Sequence, residues 1–394
     1  MQIKMNENFK AFKDNYLFVE CANRINTFQS KNPEAKIIKL SIGDVTLPLP
    51  KVAIDALKKA TDEQACAKTF MGYAPESGYD FARSAVCGYY KRRSNVALEE
   101  QEVFISDGAK CDCGNVLDIL GNNEVYIPDP VYPVYLDSNI MAGNKVNYLS
   151  GSLENGFLPM PTDDIKAGSV IYICSPNNPT GSVYDKNQLT EWVNFANERG
   201  CLIIFDSAYE AFVSNGEPRS IYEIEGARTC ALEICSLSKT AGFTGTRFGW
   251  MVLPKELESA GMVLRDVWHR RQSTRFNGVP YIVQRAAEAA LSVEGMKECM
   301  KNIDYYKQNA KKLSSFFEAK NITFIGGISS PYIWFKAPNG MGSWDFFDLL
   351  LNEAQIAGTP GVGFGESGEG FLRITSFGRS EDYDEAIKRL EKVL

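Results

Sequence analysis

Between residues 102 and 253, short runs of β-branched and apolar residues recur between helix-like stretches, and three of them end on polar clusters. The runs are EVFIS (102 to 106), EVYIP (124 to 128), SVIYIC (169 to 174), CLIIF (201 to 205), TCALEIC (229 to 235) and FGWMVL (248 to 253). Near-continuous apolarity marks strands covered on both faces, and strands alternating with helices build a mostly parallel sheet. An α/β fold follows, with a ligand site beyond the carboxyl ends of the strands. After about residue 280 the rhythm changes to long helical stretches (282 to 319), PYIWFK (331 to 336), a helix near 343 to 353, FLRITSF and a last amphipathic helix. That change predicts a large domain over 44–280, with mostly parallel sheet flanked by helices, and a smaller α+β domain from 1–43 plus 281–394.

Composition removes several classes of function. A net charge of -7 lacks the basic footprint of nucleic-acid binding. One histidine and ten cysteines without a CxxC pair leave no zinc ligand set, so no metal is expected and the cysteines read as reduced core thiols. MQIKMNENFKAFKDNY has no apolar leader core and no run approaches the length of a membrane span, which predicts a cytoplasmic protein with small-molecule partners.

The polar clusters carry the chemistry. Ser175-Pro-Asn-Asn178-Pro-Thr-Gly181 follows the 169 to 174 run, Asp206 and Tyr209 follow CLIIF, and Ser236-Leu-Ser238-Lys239 ends the 229 to 235 run. Three neighbouring strands would deliver these groups into one crevice. A lysine among hydroxyls, with Gly242, Gly245 and Arg247 close behind, places an amine beside a pocket where N–H groups, hydroxyls and a guanidinium donate to a phosphate. A buried carboxylate such as Asp206 can hold a heterocyclic N–H. Each element alone has a plainer reading: a solvated lysine, a helix N-cap at Asp206, a turn residue at Asn178. Their co-occurrence at strand ends matches the needs of pyridoxal phosphate.

SPNNPTG, FDSAY (205 to 209) and SLSKTAGFTGTRFGW (236 to 250) resemble the fold-type I aminotransferases. LSIGD (40 to 44), MGYAPESGYDFAR (71 to 83), ISDGAKCDCGN (105 to 115), DPVYPVY (129 to 135), RFNGVPYIVQRAAEA (275 to 289) and TPGVGFGESGEGFLRITSFG (359 to 378) extend the resemblance over nearly the whole chain. Together they are similar to the LL-diaminopimelate aminotransferase family. The resemblance implies the fold type I transferase fold and pyridoxal 5'-phosphate as cofactor, with Lys239 as Schiff-base and proton-shuttling lysine. It implies that Asp206 keeps the ring nitrogen protonated, that Tyr209 and Asn178 hold the ring oxygen, and that Tyr132 stacks on the ring. Ser236, Ser238, Arg247 and the backbone N–H groups of Ala109 and Lys110 would hold the phosphate, and Asn277 also belongs to the cofactor side.

For the substrate, the resemblance implies Arg373 as a clamp on the α-carboxylate, helped by Gly43 and Asn277. Tyr16, Tyr73, Glu76 and Lys110 join them, with Tyr132 and Asn178 serving both sides. Tyr73 and Glu76 would enter from a neighbouring subunit, which implies a homodimer with shared active sites. The reaction implied interconverts LL-2,6-diaminopimelate plus 2-oxoglutarate with tetrahydrodipicolinate plus glutamate, in lysine and cell-wall precursor synthesis. The alternatives are a related aminotransferase with a shifted amino-acid substrate and a fold-type I pyridoxal-phosphate lyase. The departures from the family pattern are Ala74 for a glycine and Ser77 for an amide in GYAPESG, along with Met71 and Pro280.

Other matches lack their partners. Gly363 to Gly368 fits GxGxxG but runs into FLRITSF rather than a helix. Ser236 to Lys239 fits SxxK without the companion elements of a penicillin-binding enzyme. His269 has no second histidine to support a relay, and the arginines at 265, 270, 271 and 275 read as a solvated helix face.

Overall fold

The computed structural model describes residues 3–12, 17–41 and 43–394. The apolar runs become one seven-stranded sheet. Its strands are β1 (Val103–Ser106), β2 (Glu124–Asp129), β3 (Lys145–Ser150), β4 (Val170–Cys174), β5 (Leu202–Asp206), β6 (Ala231–Ser236) and β7 (Gly249–Val252). Their order is β1-β7-β6-β5-β4-β2-β3, and β7 alone runs against its neighbours. Every residue of β1, β4, β6 and β7 is buried, as near-continuous apolarity demands, and the one charge among them, Glu233 of β6, is paired with Arg93. The pattern of apolar runs did not include β3. Its KVNYLS sequence is half polar because it forms the sheet's edge, with only Leu149 buried.

Helices α1 (Leu17–Lys31), α2 (Lys51–Gln64), α3 (Asp80–Ser94), α4 (Ala109–Asn115), α5 (Pro133–Ala142) and α6 (Lys186–Arg199) come before the centre of the chain. After it come α7 (Leu237–Thr240), α8 (Leu264–Arg275), α9 (Tyr281–Leu291) and α10 (Val293–Ala319). Helix α6 shows how local sequence sets an element. The Asp185 carboxylate accepts from Gln188 N–H at 2.8 Å, Gln188 Oε1 accepts from Asp185 N–H at 2.9 Å, and Gly200 ends the helix at φ 62°. Its Leu189, Trp192, Val193 and Ala196 cover one face of the sheet, while Cys113, Val134, Tyr135 and Trp268 from α4, α5 and α8 cover the other.

The smaller sheet is antiparallel: β8 (Phe324–Gly326), β9 (Tyr332–Lys336), β10 (Thr359–Pro360) and β11 (Phe371–Thr375), in the order β8-β9-β11-β10. It shares a core with α1, the C-terminal half of α10, α11 (Ser343–Leu349) and α12 (Ser380–Leu390). Helix α9, the first after the change of sequence pattern, packs with α2 and α3 around Val103 and Trp250, on the larger sheet's side. Helix α10 reaches from Cys299 in that cluster to Phe317 in the smaller core.

Candidate active site

Strands β4, β5 and β6 are adjacent, with Cys174 opposite Asp206 and Asp206 opposite Ile234, so their carboxyl ends open at one level. A cavity of about 320 Å³ lies there. Gly43, Ala109, Lys110, Tyr132, Asn178, Asp206, Tyr209, Ser236, Ser238, Lys239 and Arg247 all line it. Arg373, on β11, reaches its edge by donating from Nη1 to Asn178 Oδ1 at 2.6 Å. Tyr73, Glu76 and Asn277 lie outside it, and Tyr16 falls outside the described residues.

One end of the cavity is a ring of donors. Ser236 caps α7, its Oγ accepting from Ser238 N–H at 3.3 Å. Arg247, at φ 68°, donates to the Thr244 carbonyl at 3.0 Å. Close approach here depends on glycine: a Cβ on Gly108 would lie 2.2 Å from Arg247 Nη2, and one on Gly249 would lie 2.8 Å from Gly108 Cα. Gly108 also precedes α4, whose first N–H groups have no acceptor within the helix. Two hydroxyls, a guanidinium and these N–H groups suit a phosphate dianion.

Asp206 is buried and accepts from the Tyr135 phenol at 2.6 Å on Oδ2 and from Ala208 N–H at 3.0 Å on Oδ1. Burial pushes its carboxyl up, against those two donors. Lys239 donates to the Gly43 carbonyl, and its ammonium position lies 5.5 Å from the Phe377 ring centre. Burial lowers the amine to about 8; the Asp44 charge opposes this, and the Arg373 and Arg247 charges add to it. The lysine is thus a usable base near neutral pH.

Arg373 is 1% exposed, yet among the described residues its acceptors are neutral: Asn178 Oδ1, the Ser41 carbonyl at 2.9 Å and Thr359 Oγ1 at 3.4 Å. Tyr332 and Phe364 cover the guanidinium at 4.6 and 4.8 Å. Because Asn178 Oδ1 faces Arg373, its amide Nδ2 is left to donate. The Tyr209 hydroxyl lies 2.6 Å from that of Tyr332, and a Cβ on Gly43 would meet the same Tyr332 oxygen at 2.9 Å. Sequence reasoning passed over Tyr135, Tyr332, Cys174 and Thr244. Tyr135 stood within the quoted DPVYPVY, and its spacing of three from Tyr132 on one helical turn was the available signal.

Among the described residues no opposite charge lies within ion-pair distance of Asp206, Arg247 or Arg373. Leaving an ion buried and unpaired costs several kcal/mol, and a charge-assisted hydrogen bond offsets about 1.5–3 kcal/mol of that. Asp206 and Arg373 carry that cost, so the cavity suits a ligand that brings a cation to Asp206 and an anion to Arg373, with the half-buried Arg247 able to take a second anion. Pyridoxal phosphate with an amino-acid substrate has that charge pattern. No group of metal-ligating side chains occurs among the described residues.

Tyr73, Glu76 and Asn277 share an outer surface. Tyr73 is 88% exposed. Glu76 accepts from Ser273 Oγ at 2.7 Å and sits 3.6 Å from His269 Nε2, while the Ala74 methyl lies against Gly278. His269 is thus a half-exposed neighbour of Glu76 on α8. Of the arginines there, Arg271 and Arg275 both pair with Asp118 at 2.9 Å. The Gly363 to Gly368 segment forms two short turns before β11, without the helix that a dinucleotide site needs.

The family model described as aminotransferase class I and II matches residues 35–390. The LL-diaminopimelate aminotransferase of Methanosphaera stadtmanae is 48% identical, with 100% of both chains covered. That of Bacteroides thetaiotaomicron is 46% identical over 99% of each. Among solved structures, the L,L-diaminopimelate aminotransferase from Chlamydomonas reinhardtii is 41% identical and superposes with a TM-score of 0.93, covering 100% of this chain and 99% of that one.

Proposed function

Because the chain belongs to the class I and II aminotransferases and, within them, to the LL-diaminopimelate aminotransferase family, we propose that it transfers an amino group between LL-2,6-diaminopimelate and 2-oxoglutarate. The products are glutamate and the 2-amino-6-oxo acid, which closes onto its own amine with loss of water to give tetrahydrodipicolinate, and the reaction serves lysine and cell-wall precursor synthesis. One observation carries the reading: a half-buried lysine amine, an uncompensated aspartate and a phosphate-sized ring of donors line one cavity, with an uncompensated arginine at its edge. The cofactor is pyridoxal 5'-phosphate. When bound, it supplies an aldehyde that takes up amino groups and a pyridinium ring that accepts the electrons of a breaking Cα–H bond.

The chain's own residues do the rest. Ser236, Ser238, Arg247 and the Ala109 and Lys110 N–H groups hold the phosphate. Asp206 would accept from the ring N–H, while Tyr209 and the Asn178 amide would hold the ring oxygen. Tyr132 would cover the ring; the Lys110 amine lies 5.8 Å from the Tyr132 ring centre. Lys239, whose Nζ lies in the cavity, would act as the base that takes and holds the substrate's Cα proton. Arg373 fixes the α-carboxylate beside Gly43. The exposed surface of Tyr73, Glu76 and Asn277 suits a second subunit's cavity, with Glu76 facing the distal ammonium in a homodimer.

Absorbance of the purified protein tests the activity. LL-diaminopimelate and glutamate should each remove the visible cofactor band, and 2-oxoglutarate should restore it; a band unmoved by LL-diaminopimelate overturns the substrate. Mixed dimers test the shared site: Lys239→Ala and Glu76→Ala chains combined should recover activity that neither has alone. No recovery contradicts the crossing of Glu76.

A further inference from the structure

Asp206 has no cation partner among the described residues, so donors alone set its orientation. The shortest contact is the Tyr135 phenol at 2.6 Å; Ala208 N–H follows at 3.0 Å and Cys113 Sγ at 4.0 Å. Tyr135 is held fast. It is 1% exposed, stacks on Tyr172 at 4.9 Å and 23°, and meets Tyr132 edge-on at 5.9 Å and 88°. Asn139 Nδ2 ties the pair together, donating to the Tyr135 carbonyl at 2.8 Å and to the Tyr172 hydroxyl at 3.2 Å. Burial and the Asp206 charge hold the Tyr135 phenol well above its ordinary range, so it remains a donor at any working pH. The other acids around Asp206 among the described residues are Cys113, Cys174, Asp112 and Tyr332. Burial pushes all four up, Asp112 to about 8, so near pH 7 they are held mainly neutral.

We propose that Tyr135 is a positioning residue for transamination: its fixed O–H holds the Asp206 carboxylate turned and ionised for the cofactor's protonated ring nitrogen, while its edge sets the plane of Tyr132. The proposal rests on the reading that pyridoxal phosphate sits here with its ring nitrogen at Asp206. Loss of the hydroxyl removes a charge-assisted hydrogen bond from the carboxylate, which makes Asp206 the better base and draws the ring proton toward it.

The test is Tyr135→Phe, read by the ring-¹⁵N resonance of bound pyridoxamine phosphate across pH. The midpoint for ring-nitrogen deprotonation should fall by about one pH unit or more, the scale of one such hydrogen bond. The dissociation constant of the 1-deaza analogue, which has C–H in place of the ring nitrogen, should change less than about twofold, since an ordinary packing contact is preserved. An unchanged midpoint, or equal weakening of both ligands, overturns the proposal. Should Tyr135→Phe fail to fold, 3-fluorotyrosine at position 135, a stronger donor of the same shape, must move the resonance toward the protonated position; no movement overturns it. A wild-type resonance that titrates as in free solution overturns the placement of the ring at Asp206 itself, which separates that failure from a failure of Tyr135.

Discussion

The segment Asp206-Ser-Ala-Tyr-Glu210 borders two sets of buried charges that are built differently. On one side, Arg93 pairs with Glu210 at 2.7 Å and Glu233 at 3.1 Å, and Arg219 pairs with Glu210 at 2.9 Å. Tyr89, Tyr90, Ser207 and Ser220 hydroxyls complete both carboxylates. Burial pushes the Glu210 carboxyl up, but Arg219 and Arg93 outweigh it and the net direction is down. On the other side, Asp206, Arg247 and Arg373 have neutral partners among the described residues. The first set is closed and neutral, which makes it part of the scaffold. The second stays open and selects a ligand of complementary charge. Burial of charge alone does not mark a functional site; burial without a counter-charge does.

Substitutions can break that contrast. The largest effect should come from Lys239→Ala, lowering turnover by about 10²–10⁴-fold or more while the apoprotein's unfolding temperature holds or rises. Turnover and thermal unfolding measured together check both halves. Arg93→Met should do the reverse. It leaves two buried carboxylates without their shared cation and should cost about 3–5 kcal/mol in urea unfolding, with kcat of the folded protein within a few-fold; a stable Arg93→Met would dissolve the distinction. Arg373→Gln should lower kcat/KM by about 10–100-fold, chiefly through KM, with little loss of apoprotein stability because no ion pair is broken.

The smallest effect is a pH dependence. Acylation of Lys239 in the apoprotein should have its midpoint near pH 8 instead of the ordinary lysine range, near 10.5. Above pH 8 the folded amine has lost its proton while the unfolded one keeps it up to about 10.5, so stability gains as pH rises through that window. Lys239→Met should therefore stabilise the apoprotein most below pH 8, with the advantage shrinking above it. An advantage constant across pH contradicts the lowered amine.

Much of this was legible in the sequence because strands buried on both faces write themselves as unbroken apolar runs, and the chemistry sits directly after them. Lys239, Asp206, Tyr209 and Asn178 could be placed in one crevice before any geometry was known. Edge strand β3 escaped because half of its side chains face water. Tyr135 and Tyr332 escaped for another reason: a tyrosine among tyrosines carries no mark of which hydroxyl meets a carboxylate, and only packing decides it. Glu76 and Asn277 lie outside the cavity among the described residues, and family resemblance alone connects them with it.

Glutamate formation from 2-oxoglutarate is the most direct test of the account, with LL-diaminopimelate, meso-diaminopimelate, lysine and aspartate as amino donors in parallel. Glutamate should form in stoichiometric amounts with LL-diaminopimelate, with at least about tenfold lower kcat/KM for the others, the scale of one lost charge-assisted contact. Ammonia released without glutamate would contradict it in favour of a lyase, and equal rates with lysine or aspartate would contradict the substrate while leaving Lys239 and Asp206 in their roles.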